Sequence, residues 1–122
     1  MKDHLKFAMS YWHTLCAEGT DMFGAGTEDK SFGGSDPMEI ARNRVLAGFE
    51  FMHKLGIEYF CFHDKDIAPE GASLREFQAN LDAIVPLIKE QMQKYGIKLL
   101  WGTANLFNHP RYVHGAGTTC NA

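Results

Sequence analysis

Short apolar stretches alternate with longer amphipathic ones along this chain, and that alternation leaves few folds open. Residues 5–12 are a compact run of apolar and aromatic side chains, residues 57–62 are apolar except for Glu58, and residues 97–101 form a third such run. All three have strand length and lack helical periodicity. Strands of this kind separated by amphipathic helices imply parallel strands covered by helices and joined by right-handed crossovers. The order is β-α-β-α-β, an α/β chain. Two architectures satisfy it, an open doubly wound sheet or part of a barrel.

The helices carry their own boundary signals. Asp36-Pro37 reads as a helix start, because Asp accepts backbone N–H bonds as an N-cap and Pro at the first position loses no bond it could have made. Ala41, Val45, Gly48, Phe49, Met52 and Leu55 then recur at helical spacing, with Gly56 as the C-cap. Ser73 and Glu76 have the spacing of a capping box. The helix behind them places Leu74, Phe77, Leu81, Ile84, Ile88, Met92 and Tyr95 on one face and stops at Gly96. Pro86 lies inside it and predicts a kink near Asp82 rather than two helices, since the apolar face runs on unbroken.

Residues 16–35 read as a loop, rich in Gly and too polar for a core element. An open dinucleotide-binding sheet calls for a glycine-rich turn directly between the first strand and helix. This long insertion replaces it, and no GxGxxG or Walker-type motif occurs. Residues 102–122 read as loop with one helical turn near 108–112.

The 122 residues fit one domain, and 45% apolar with 12% aromatic residues are enough to fill a core. A net charge of -3 with scattered Lys and Arg predicts neither nucleic acid nor a membrane surface as partner. The first residues resemble neither a signal peptide nor a membrane span, so a cytoplasmic protein is expected. Cys16, Cys61 and Cys120 are too few and too widely spaced for a disulfide framework or a structural zinc site, and read as reduced thiols, Cys61 as core packing.

The residues with chemical potential fall at one place in each unit. Trp12 ends the first strand, His63 and Asp66 the second, Trp101 and Thr103 the third. In both architectures the carboxyl ends of parallel strands are where ligands bind. A carboxylate bonded to one nitrogen of His63 would set its tautomer and turn the other nitrogen to proton exchange with a substrate. On spacing alone the plainer reading is the stronger one, with Asp66 merely tying down a loop. Trp12, Trp101 and Phe107 could line the C–H faces of a sugar while Thr103 donates to a hydroxyl, although aromatics so near strands also suit a core. His4, His13, His53, His109 and His114 show no spacing that suggests a metal site.

These residues lie in strings that resemble the xylose isomerase family, in its longer class II branch. They are Tyr11-Trp12-His13-Thr14, Asp21-Met22-Phe23-Gly24, the run from Phe60 to Gly71 around His63, and Leu100-Trp101-Gly102-Thr103-Ala104-Asn105-Leu106-Phe107. The likeness covers essentially the whole chain in collinear order, and the run around His63 is highly specific. It implies the N-terminal part of a (β/α)8 TIM barrel, with residues 1–122 a single incomplete segment. By resemblance His63 helps to open the sugar ring and Asp66 orients it, Trp12, Trp101, Thr103 and Phe107 line the pocket, and Phe23 reaches into a neighbouring subunit.

The family's reaction interconverts D-xylose and D-xylulose, and D-glucose and D-fructose less well, by a hydride shift promoted by two divalent cations, Mg2+, Mn2+ or Co2+. By resemblance the cation ligands belong to later strands, so none is assigned here, and the assembly is a homo-oligomer, a tetramer in the family. Lys65 departs from the family's pattern, and in an extended segment it would point away from the pair. A barrel of this type needs roughly 250 residues and eight strands, so the 122-residue polypeptide is expected to be inactive alone. Two other readings stay open. One is a non-catalytic barrel fragment that self-associates or complements another fragment through its open edges, and the other an independent small α/β sugar-binding protein.

Overall fold

The computed structural model of the protein describes residues 3–106 together with His109 and Tyr112. Its elements are β1 (Ala8–Ser10), a π-helical turn (Trp12–Cys16), α1 (Pro37–Leu55), β2 (Tyr59–His63), the single turn α2 (Asp64–Ile67), α3 (Leu74–Tyr95) and β3 (Lys98–Thr103). The expected β-α-β-α-β order is therefore present. The sheet order is β1-β2-β3 and both pairings are parallel, Ala8 opposite Tyr59 and His63 opposite Thr103. Adjacent parallel strands in chain order, with a helix in each crossover, fit a partial (β/α)8 barrel.

The helix ends follow from local chemistry. Asp36 Oδ1 accepts from the N–H groups of Met38 and Glu39 at 3.0 and 3.1 Å. At the other end Gly56 takes φ of 69°, a left-handed conformation that costs a side chain little only when there is none. Its N–H bonds His53 O and that of Ile57 bonds Met52 O, satisfying carbonyls that the helix leaves unpaired. At α3, Ser73 Oγ accepts from Glu76 N–H at 3.2 Å, but the glutamate carboxylate reaches Ala72 N–H at 2.8 Å instead of closing the reciprocal bond on Ser73. The helix runs through Pro86 as one element.

α1 and α3 pack over the sheet. Phe49 meets Phe60 edge to face at 5.2 Å between ring centroids, with Val45, Met52, Ile84 and Ile88 buried around them. Cys61 is buried in β2, as expected of core packing.

Several boundaries differ from expectation. The first strand is confined to Ala8–Ser10, since only those residues pair with β2, and Leu5 and Phe7 stay exposed. The chain then turns at Tyr11 into the π-helical segment, so Trp12 opens a turn rather than closing a strand. Leu55 and Leu74, the last and first residues of their helices, are exposed because the packed faces have run out there. Gln91, although polar, occupies the buried face of α3 at helical spacing from Ile84 and Ile88. β3 starts one residue late and continues to Thr103, and as an edge strand paired on one side only it is exposed along its length. The helical turn expected at 108–112 lies largely outside the described residues.

Candidate functional site

β2 delivers His63 to its carboxyl end, and α2 folds Asp66 straight back onto it. Asp66 Oδ2 accepts the His63 backbone N–H at 2.7 Å and lies 3.1 Å from His63 Nδ1. An ionised carboxylate can only accept, so the second contact is a hydrogen bond when Nδ1 carries the proton. Asp66 is 9% exposed. One oxygen thus staples the turn and also touches the imidazole, so the two readings of the His63–Asp66 spacing coexist.

The π-helical turn swings Trp12 over the same imidazole. Ring centroids are 4.6 Å apart for Trp12 and His63, 5.4 Å for Trp12 and Trp101, and 5.8 Å for His63 and Trp101. These lie in the range favourable for aromatic pairs. Three elements that are remote in sequence therefore bring an imidazole and two indoles together at the carboxyl ends of the strands. Trp101 remains 41% exposed and Thr103, opposite His63 in the ladder, is also exposed. Phe107 and His114 lie outside the described residues.

Asp64 ties β2 to the segment after β3. Its Oδ1 accepts from Lys65 N–H and from Asn105 N–H, both at 2.8 Å. The segment after His63 is helical rather than extended, so Lys65 does not point away by strand alternation. Its ammonium instead pairs with Glu70 at 3.1 Å.

Phe23 stands apart. It sits in a tight turn bridged between Asp21 and Gly24, where Asp21 Oδ1 accepts its N–H at 2.7 Å, and it is 90% exposed. Among the described residues it joins none of the ring contacts around His63.

A second cluster lies beside Asp66, and it was missed in the sequence. Arg44 Nη1 donates to Asp66 O at 3.3 Å and contacts Cys16 Sγ at 3.5 Å, while the Cys16 thiol donates to the same carbonyl at 3.6 Å. Arg44 Nη2 donates to Lys30 O at 3.4 Å. The available signal was spacing, because Arg44 falls between Ala41 and Gly48 on the face of α1 that turns inward. Burial pushes the Cys16 thiol up to about 11, against the opposing pull of Arg44. Burial also pushes the Tyr11 hydroxyl well above its ordinary value.

Two clefts, of about 620 and 520 Å³, lie near the start of β1 and between α2 and the start of α3, and neither is lined by Trp12, His63 or Trp101. Among the described residues no group of three or more His, Cys, Asp or Glu side chains could hold a metal ion. No helix among them is long and apolar enough to cross a membrane.

Against known proteins, no family model matches the chain. Its whole length is 59% identical to the xylose isomerase of Listeria welshimeri and 58% identical to that of Enterococcus faecalis. It is likewise 59% identical to the xylose isomerase of Thermotoga neapolitana over 123 aligned residues. In each case the chain spans 28% of the relative's length. The resemblance to xylose isomerases thus holds from end to end of the chain, and the relatives are isomerases by name.

Proposed function

We propose that this chain is the N-terminal portion of an aldose–ketose isomerase barrel acting on D-xylose and D-xylulose, with residues 1–122 forming one incomplete segment. The observation that carries the reading is the convergence of His63, its partner Asp66, Trp12 and Trp101 at the carboxyl ends of parallel strands. A cyclic sugar must lose a proton from its anomeric hydroxyl and gain one on its ring oxygen to open. His63 is suited to that exchange, with Asp66 holding Nδ1 and so setting which nitrogen meets the sugar. Trp12 and Trp101 present flat apolar surface to the sugar's C–H faces, and Thr103 supplies a hydroxyl at the strand end. Phe107 lines the same pocket by resemblance.

The resemblance also implies two divalent cations. The described residues do not fit them, since among those residues no cluster of donors converges. Phe23, exposed on the tip of its turn, would reach a neighbouring subunit of a homo-oligomer, a tetramer by resemblance.

The test is a chimera in which the matching segment of the Listeria welshimeri xylose isomerase is replaced by this chain. It is expected to convert xylose to xylulose, and His63→Asn to slow it about a hundred-fold or more with cyclic sugar. A chimera that folds and binds metal yet forms no ketose removes the proposal. The exposed apolar edge of β3, Leu99 and Leu100, supports a second reading, that of a fragment which self-associates or complements another fragment.

A further inference from the structure

The geometry points to Arg44, assisted by Cys16, as a positioning residue that sets how the His63 imidazole meets Trp12 by gripping the backbone carbonyl of Asp66. Three elements meet at that carbonyl. Arg44 belongs to α1, Cys16 to the π-helical turn that also carries Trp12, and Asp66 to the turn that follows His63. Nη1 and the Cys16 thiol both reach Asp66 O, at 3.3 and 3.6 Å, and Nη1 also contacts Cys16 Sγ at 3.5 Å. The other arm of the guanidinium holds Lys30 O, at the far end of the Gly-rich loop. Displacing Arg44 would therefore loosen Trp12 and Asp66 relative to one another, and His63 lies between them.

Stability alone does not explain the residue. Among the described residues no carboxylate lies within ion-pair distance of Arg44, and its Nε is buried without a hydrogen-bond partner. A partly buried cation held by two carbonyls and a thiol, with one N–H left over, carries a desolvation cost that an apolar side chain of similar volume does not. What the guanidinium provides is a rigid planar fork that bonds two fixed acceptors at once, which a lysine ammonium on a flexible stem does not reproduce. Precise chemistry requires that the side chains meeting a substrate be held in place by such supporting contacts.

The inference rests on the isomerase reading for its purpose, and its test is independent of turnover. The chain is labelled with 15N-histidine, the His63 signals are identified from their loss in His63→Gln, and imidazole spectra are compared for Arg44→Met, Arg44→Lys, Cys16→Ser and a control at an exposed position of the same helix, Arg42→Met. In Arg44→Met the amide spectrum and helix content are expected to persist while His63 loses its hydrogen-bonded Nδ1 shift and the ring-current displacement from Trp12. Arg44→Lys recovers these only in part, and Cys16→Ser and Arg42→Met keep them. A folded Arg44→Met with unchanged His63 resonances overturns the inference. Should that variant unfold, Cys16→Ala decides: altered His63 signals on an intact fold support the latch, and unaltered ones overturn it. A chimera without turnover removes the sugar reading and leaves these spectra to decide this one.

Discussion

A single carboxylate oxygen decides much of what happens at the end of β2. Asp66 Oδ2 holds both the backbone and the ring of His63, so Asp66→Asn either offers both donors the weaker, uncharged amide oxygen or turns its N–H₂ against them. Asp66→Asn is expected to lower stability by about 1–3 kcal/mol, read by urea unfolding, and to cost the chimera more in turnover than in sugar affinity. Wild-type stability with undiminished turnover would contradict this. The thiol beside it makes a separate prediction. Cys16 keeps its proton in the folded chain up to about 11, against an ordinary value of 9.0. Between those limits the unfolded chain binds fewer protons than the folded one, so unfolding free energy falls as pH rises. The urea midpoint is expected to be insensitive to this thiol below pH 9.0 and to decline towards about 11, and Cys16→Ala to remove part of that slope. Tyr11 and Cys61, both raised by burial, add with the same sign. Of these residues, His63 and Asp66 were legible as a pair in the sequence. Arg44 was not singled out, because a charged residue on an amphipathic helix ordinarily faces water.

Helix boundaries were the most legible elements. A cap is satisfied by atoms two or three residues away, so Asp36, Gly56, Ser73 and Gly96 declare themselves without tertiary context. Asp36→Ala is expected to destabilise the fold by about 1 kcal/mol. Phe49→Ala, which empties the contact with Phe60, should cost about 3–5 kcal/mol, measured in the same denaturation series. A smaller loss for Phe49 than for Asp36 would mean that α1 is not packed on β2 as described. The π-helical turn was illegible. Its residues, Trp12 to Cys16, are aromatic and apolar enough to continue a strand, and only the end of the β1–β2 ladder at Ser10 and Cys61 releases them to curl. Leu15 then reaches Gly48, where an added Cβ would come within 2.6 Å of its Cδ1, so the absent side chain on α1 makes room for the turn.

At the scale of the molecule the central strand β2 is paired on both edges, while β1 and β3 are each paired on one and β3 is exposed along its length. Unpaired strand edges beside apolar side chains favour association. The 122-residue polypeptide is expected to show concentration-dependent species larger than a monomer in sedimentation, reduced by Leu100→Lys, and to form no xylulose from xylose with Mg2+. A stable monomer at high concentration, or turnover by this polypeptide, would contradict these two expectations in turn. The alternation of apolar strands with capped helices was enough to determine α/β class, element order and the placing of His63 and Thr103 at strand ends, because periodicity and caps are local properties of the chain. Tertiary structure alone decided that Trp12 and Trp101 gather tilted and edge-on about one imidazole, that Asp66 serves backbone and ring together, and that Arg44 turns inward to its carbonyl. Those contacts join residues from separate elements, and their distances exist only once the sheet and its helices have packed.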